Sequence, residues 1–285
     1  MKLIHAMNET GTLEEFLRIN PLYKGAPIKP NVLVSYNYLR GIALKLTKTL
    51  RDGIGSLNLD SGGYSIYTGK SLHTLHDYLS FVKLYSHLFD VVFSLDSDFN
   101  NPEGNLTNQL WLEEKLGDNS KKIVPVVHDK IAPFEELEMY AENGYNQVAV
   151  GSDGKLSDEF FEKVKAKYPD LKLHVFGRFD RKIFQVYKPF SADTASFQHQ
   201  ARFDLIYYWE PTEEKEYTVR IGKREKQVET GGAVHFRDFK HTDKLKEFLK
   251  NTFNYTYNDL ATSEVRMRVV NLYFFTQLED YYNSH

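Results

Sequence analysis

Between about residues 30 and 205, short apolar runs alternate with longer segments whose apolar residues recur every three or four positions. NVLVSYNY, GSLNLDSGG, DVVFSLDSD, KKIVPVVHD, NQVAVGSDG, LKLHVFGRFD and FSADTASF read as strands and the turns that follow them. TLHDYLSFVKLYSHLF, LTNQLWLEEKLG, APFEELEMYAENG and LSDEFFEKVKAKYPD carry helical spacing, as do the shorter GIALKLTKTLRDG and RKIFQVYKP. Strands alternating with helices imply βαβ units and a parallel sheet. The unbroken apolar runs VVF, IVPVV and VAV suit strands covered on both faces. Seven or eight such units favour an α/β fold of the (β/α)8, TIM-type barrel over an open sheet.

Past residue 205 the pattern changes. EYTVRIGKREKQVETGGAVHF predicts a hairpin with a charged turn, and KLKEFLKNTF and ATSEVRMRVVNLYFFTQLEDYY predict helices. The expectation is one domain over 1–285: a barrel core of about 30–210, then a closing hairpin and appended C-terminal helices over about 211–285.

The polar residues of chemical interest fall just after the predicted strands. Asp60 follows SLNL, Asp96 follows VVFSL, His128 follows IVPVV, Gly151 follows QVAV, Gly177 follows LHVF, and Asp193 follows PFSA. In a parallel barrel all strand C-termini open on one face, where active sites sit, so distant residues can converge there. Each residue also has a plainer reading. Asp60 with Ser61, Gly62 and Gly63 makes a tight turn or a helix cap. Asp96 and Asp98 suit solvated loop acids, His174 a satisfied core histidine, and His73 and His76 exposed positions on a helix after Gly69. Asp60, Asp96 and His128 could also ligate a metal, which would make the protein a metal-dependent barrel hydrolase, although their spacing matches no metal motif.

Composition narrows the chemistry. The 285 residues include no cysteine, which removes disulfides, Cys-ligated zinc, iron–sulfur clusters and thiol nucleophiles. The N-terminus turns acidic early and lacks a signal-peptide core, and no apolar run approaches a membrane span. A cytoplasmic setting without membrane contact is expected. With a net charge of −3, binding to nucleic acid would need a local basic surface. Arg178, Arg202 and the run VRIGKREK (Arg220, Lys223, Arg224, Lys226) are the candidates; the interleaved acids of that run equally suit a solvated hairpin. No Walker loop, dinucleotide fingerprint or nucleophile elbow is present.

Taken in order, LDSGGYSIY, VVFSLDSD, IVPVVHD, VAVGS and FSADTASF resemble the tRNA-guanine transglycosylase superfamily over about residues 30–205. The first is similar to its Asp-Ser-Gly-Gly-aromatic signature, the second to its base-reading Asp strand, and the fourth to its Ala-Val-Gly segment. IVPVVHD falls where the family has a Gln-containing turn, and FSADTASF where it has the nucleophilic Asp. The chain departs from the tRNA-acting members in lacking their Cys-rich zinc subdomain. It has Val127 or His128 in place of the Gln, and lacks the Pro-Thr-Arg that follows the nucleophile. In these respects it looks more like the divergent branch that inserts 7-deazaguanines into the DNA of bacteria and phages, whose setting would be a host cytoplasm.

The resemblance implies exchange of guanine for a 7-deazaguanine in nucleic acid, DNA favoured over tRNA, with free base as second substrate and no cofactor or resident metal. Asp193 would be the nucleophile forming a glycosyl-enzyme, and Asp60 the acid/base group. These roles agree with what an oxocarbenium-like transition state demands. Asp96, acceptor-only when ionised, would take the two donors of guanine's Watson–Crick edge. Ser61, Gly62, Gly63, Gly151 and His128 would line the base site, with Tyr64 and Phe176 stacking on the ring. A non-catalytic nucleic-acid-binding barrel, and a homodimer or protein partner, stay open.

Overall fold

The computed structural model describes residues 1–38, 45, 49–96, 98–128, 132–151, 156–177, 180–222 and 232–285. By internal contact they fall into two compact units, one of Met1–Asn8 and Asn31–Thr194, the other of Glu9–Pro30 and Ala195–His285.

The first unit is the barrel. Its strands are β1 (Lys2–Met7), β2 (Asn31–Ser35), β3 (Leu57–Asp60), β4 (Val91–Phe93), β5 (Ile123–Val124 and Val126–Val127), β6 (Gln147–Val150), β7 (Lys172–Val175) and β8 (Ser191–Thr194). All pairings among them are parallel, and both ends of the sheet are halves of β5. Ile123 and Val124 pair with β4, whereas Val126 and Val127 pair with β6. The changeover falls at Pro125, which has no N–H to give to a ladder, while its carbonyl still accepts from Ala149 N–H at 2.9 Å. The sheet thus nearly closes on itself as a TIM-type barrel, its two ends meeting at β5.

Inside it, Ile4, Leu33, Phe93, Val124, Val126 and Ala149 form a buried cluster, with Ala6, Val91 and Phe176 packed against it. Side chains alternate faces along a strand, and register partners share a face. Asn58 pairs with Leu33 and Val91, Ser35 with Asp60, Ile4 with Asp193, and Ala149 with His174, so all of these face inward. Asp60 and Asp193 therefore continue the interior rows of β3 and β8 to their C-terminal ends.

Helices Leu75–Tyr85, Pro102–Leu116, Pro133–Glu142 and Asp158–Lys167 follow strands as the periodicity predicts. Their starts are written locally: Thr74 closes a capping box with Asp77, Asn101 and Ser157 cap with their side chains, and Pro133 opens its helix. RKIFQVYKP contains a π-helix over Ile183–Tyr187. Most of GIALKLTKTLRDG, expected as a helix, lies outside the described residues; Arg51–Gly53 at its end is a 3-10 turn.

Strand β1 is a departure from the expected pattern. The run KLIHAM stands apart from the alternating region because the chain crosses into the second unit over residues 9–30 before returning for β2. Closure also differs: it runs through β5, and the segments after residue 205 build their own sheet of β9 (Leu205–Glu210), β10 (Lys215–Arg220) and β11 (Val234–His235). The hairpin there joins β9 to β10, and β11 runs parallel to β10, so EYTVR and AVHF are not hairpin partners. Asn271, fully buried on the helix Glu264–Ser284, ties this unit together. Its side chain accepts from Tyr207 N–H (2.8 Å) and donates to the carbonyls of Phe197 and Leu205 (3.1 Å each).

Candidate active site at the barrel mouth

The turn Asp-Ser-Gly-Gly leaves the end of β3 and opens the short helix Gly63–Tyr67. Gly62 sits at φ +80°, a left-handed conformation that favours glycine, and its N–H donates to Asp60 Oδ1 at 3.3 Å. The neighbouring strand adds the Ser35 hydroxyl as a second donor. Both bonds favour the carboxylate, but burial outweighs them. With repulsion from Asp96 and Asp193 added, the Asp60 pKa rises to about 6.

His73 braces this turn. Its Nε2–H donates to the Ser61 carbonyl (3.0 Å), which fixes the tautomer and leaves Nδ1 to accept from the Ser71 hydroxyl (2.7 Å). The sequence pattern reads His73 as an exposed helical residue; it lies in the loop before the helix Leu75–Tyr85, edge-on to Tyr36. His76 does stand on that helix, tilted against Trp111.

Asp96 is only 4% exposed. Its carboxylate packs on the backbone of Gly63, where an alanine Cβ would come within 2.5 Å of Asp96 Oδ1 and of its carbonyl oxygen. It forms an ion pair with His128 Nε2. Burial works against a charged His128. The Asp96 carboxylate, with Glu136 and Asp60 adding to it, wins and raises the pKa above the usual 6.5. Three further contacts fix the histidine. Its backbone N–H donates to Glu136 Oε2 (2.8 Å), Phe99 stacks on its ring (centroids 3.7 Å, 4°), and Tyr67 stacks in turn on Phe99 (4.5 Å, 12°). Any Cβ at Gly151 would collide with this imidazole. The Gly151 N–H donates to the Val127 carbonyl in the sheet (2.9 Å), so what this glycine supplies is room for the ring.

Asp193, 5% exposed, ends the interior row of β8. Its Oδ1 accepts from Gly177 N–H at 2.7 Å, made possible by the left-handed Gly177 (φ +58°). Fully buried His174 lies alongside.

The other expected residues divide into three groups. Ser61 is buried in the turn, and Tyr64 is 53% exposed on the short helix, its ring open to a ligand. Phe176 is held inside the barrel by Phe93 and His174, with centroids 4.6 Å from each. Arg202, which is exposed, and Arg220, on β10, belong to the second unit. Arg178, Lys223, Arg224 and Lys226 lie outside the described residues. Among the described residues no three of His, Asp and Glu are grouped to hold a metal ion, the trio Asp60, Asp96 and His128 included, and no helix is long and apolar enough to cross a membrane.

Sequence reasoning missed His73, Phe99, Glu136 and the placing of His174. Only His174 left a signal: it shares the parity of Phe176 on a strand whose inner row ends at the mouth.

The fold and the mouth together define a (β/α)8 barrel with three carboxylates at its strand ends, Asp96 and Asp193 both repelling Asp60. No model of a known protein family matches the chain, and no curated protein does.

Proposed function

We propose that the protein is a base-exchange transglycosylase that replaces guanine in nucleic acid, DNA in preference to tRNA, by a 7-deazaguanine. The observation that carries this reading is the convergence of Asp60, Asp96 and Asp193 on one buried mouth, with Asp60 poised near neutrality. The collinear segment order that resembles the transglycosylases supports it.

In the reaction, Asp193 attacks C1′ of a flipped-out nucleotide as the bond from C1′ to guanine breaks and its electron pair goes to the base. Asp60 gives its proton to the departing guanine. The incoming base then loses a proton to Asp60 and attacks C1′, and the Asp193 carboxylate leaves. A group titrating near 6 can serve in both directions at neutral pH. Asp96 accepts from the N1–H and exocyclic amine of the base. A carboxylate has lone pairs enough to do so while paired with His128, whose raised pKa favours the form that offsets its charge. Tyr64 covers the ring.

The test is incubation of labelled guanine or a 7-deazaguanine with the protein and duplex DNA or tRNA. Incorporation that Asp193→Ala abolishes is expected. Folded protein that labels neither polymer overturns the proposal, and binding without exchange by the unaltered protein would make it a non-catalytic nucleic-acid-binding barrel.

A further inference from the structure

The barrel holds a buried histidine that the chemistry above does not use. His174 is 0% exposed, on the inner row of β7 directly beside Ser191 in the register. The Ser191 hydroxyl meets Nδ1 at 2.9 Å, and Phe93 and Phe176 wall the ring with centroids 4.7 and 4.6 Å away. Nε2 lies 3.5 Å from Asp193 Oδ1 and, among the described residues, has no hydrogen-bond partner. Among the described residues, Asp193 is the charged group that lies against the imidazole.

These contacts do not form a hydrolase triad. Ser191 is 3% exposed and sits one pleat deeper in the barrel than Asp193, out of reach of a substrate. A buried ring nitrogen left unpaired is costly, and Asp193 Oδ1 lies 3.5 Å from it. Catalytic contacts of this length commonly shorten when substrate seats.

We propose that His174 is the positioning residue of Asp193: the Ser191 hydroxyl donates to Nδ1, the proton therefore resides on Nε2, and Nε2–H joins Gly177 N–H in holding Oδ1. This rests on Asp193 being the nucleophile. With Oδ1 held by two donors, Oδ2 is the oxygen that forms the bond to C1′. When that bond breaks, its electron pair returns to a carboxylate already stabilised at Oδ1, which makes Asp193 an effective leaving group in the second half-reaction.

Two conservative variants separate the ring's two contacts. A glutamine amide reaches about as far as Nε2, and an asparagine amide about as far as Nδ1. His174→Asn therefore keeps the link to Ser191 and loses the donor to Asp193, whereas His174→Gln keeps that donor. With melting curves confirming that both fold, His174→Asn should lower kcat for base exchange about tenfold or more with an unchanged KM for the nucleic acid, and His174→Gln should restore most of it. Equal losses in both variants, or no loss in His174→Asn, would overturn the proposal. Nitrogen-15 NMR of the imidazole adds a readout that needs no turnover. A neutral Nε2–H tautomer whose signal moves in Asp193→Ala is expected, and an Nδ1–H tautomer would overturn the assignment. If the unaltered protein exchanges no base, the functional reading fails, while the NMR result still decides the role of His174.

Discussion

At the residue scale, Asp60 and His128 make opposite demands on pH. Folded Asp60 titrates near 6 against 3.8 for an ordinary aspartate, so between those values the folded chain keeps a proton that the unfolded chain has released. Stability therefore falls as pH rises from 4 to 6, and the penalty persists above 6, on the order of 2 kcal/mol for this partly buried group. Asp60→Asn should raise the melting temperature at pH 8, lose that gain by pH 4.5, and abolish exchange; thermal melts at the two pH values check the sign. His128 runs the other way. Its raised pKa means that its stabilisation is fully present below 6.5 and fades as pH climbs through the folded value. Removing its side chain leaves Asp96 buried and uncompensated. His128→Ala should cost roughly 3 kcal/mol in denaturant titrations at pH 6, with a smaller difference at pH 9.

At the scale of elements, the glycine turn and the strand ends carry the site. Gly63→Ala would drive a Cβ against the carbonyl oxygen of Asp96, which cannot rotate away as a side chain can. A loss of about 1–3 kcal/mol by chemical denaturation is expected, with greatly reduced exchange. Much of this level was legible in the sequence. Asp60 and Asp193 sit where an apolar strand turns polar, and two-residue alternation is enough to aim them inward once a parallel barrel is inferred. What stayed hidden depends on contacts between segments distant in sequence. Nothing in PVVHD says that its histidine pairs with Asp96 or that Phe99 covers it, because partners 29 to 32 residues away leave no periodic trace. The aromatic of the first motif is split in the same way. Both Tyr64 and Tyr67 are exposed, but Tyr67, read as part of the same run, has one face engaged with Phe99. Strand β1 escaped notice because residues 9–30, which belong to the second unit, separate it from β2, and its other partner, β8, lies at the far end of the barrel sequence.

At the scale of the whole molecule, the second unit is assembled from two separated stretches of chain. Residues 9–30 reach the C-terminal helix through Arg268 to Glu9 (3.2 Å), Tyr23 hydroxyl to Asp280 (3.0 Å), and Tyr273 hydroxyl to the Leu22 carbonyl (3.1 Å). Deleting 264–285 should strip cover from Leu13 and Phe16, both 0% exposed, and yield protein that aggregates or is cut within residues 9–30 by limited proteolysis. The barrel has a different point of weakness, at Pro125. There the ring passes from one neighbour to the other on segments of two residues each, so it has a seam. Hydrogen exchange of the Val124, Val126 and Val127 amides should outpace that of the β1 and β2 amides, since a ring that breathes opens first where its ladder is shortest. His128 hangs just beyond the seam, while Asp60 and Asp193 are mounted on strands paired along both edges. Under the proposed exchange, the base would be gripped by the compliant side of the barrel, while the carboxylates assigned to the chemistry are held on its stiffer side.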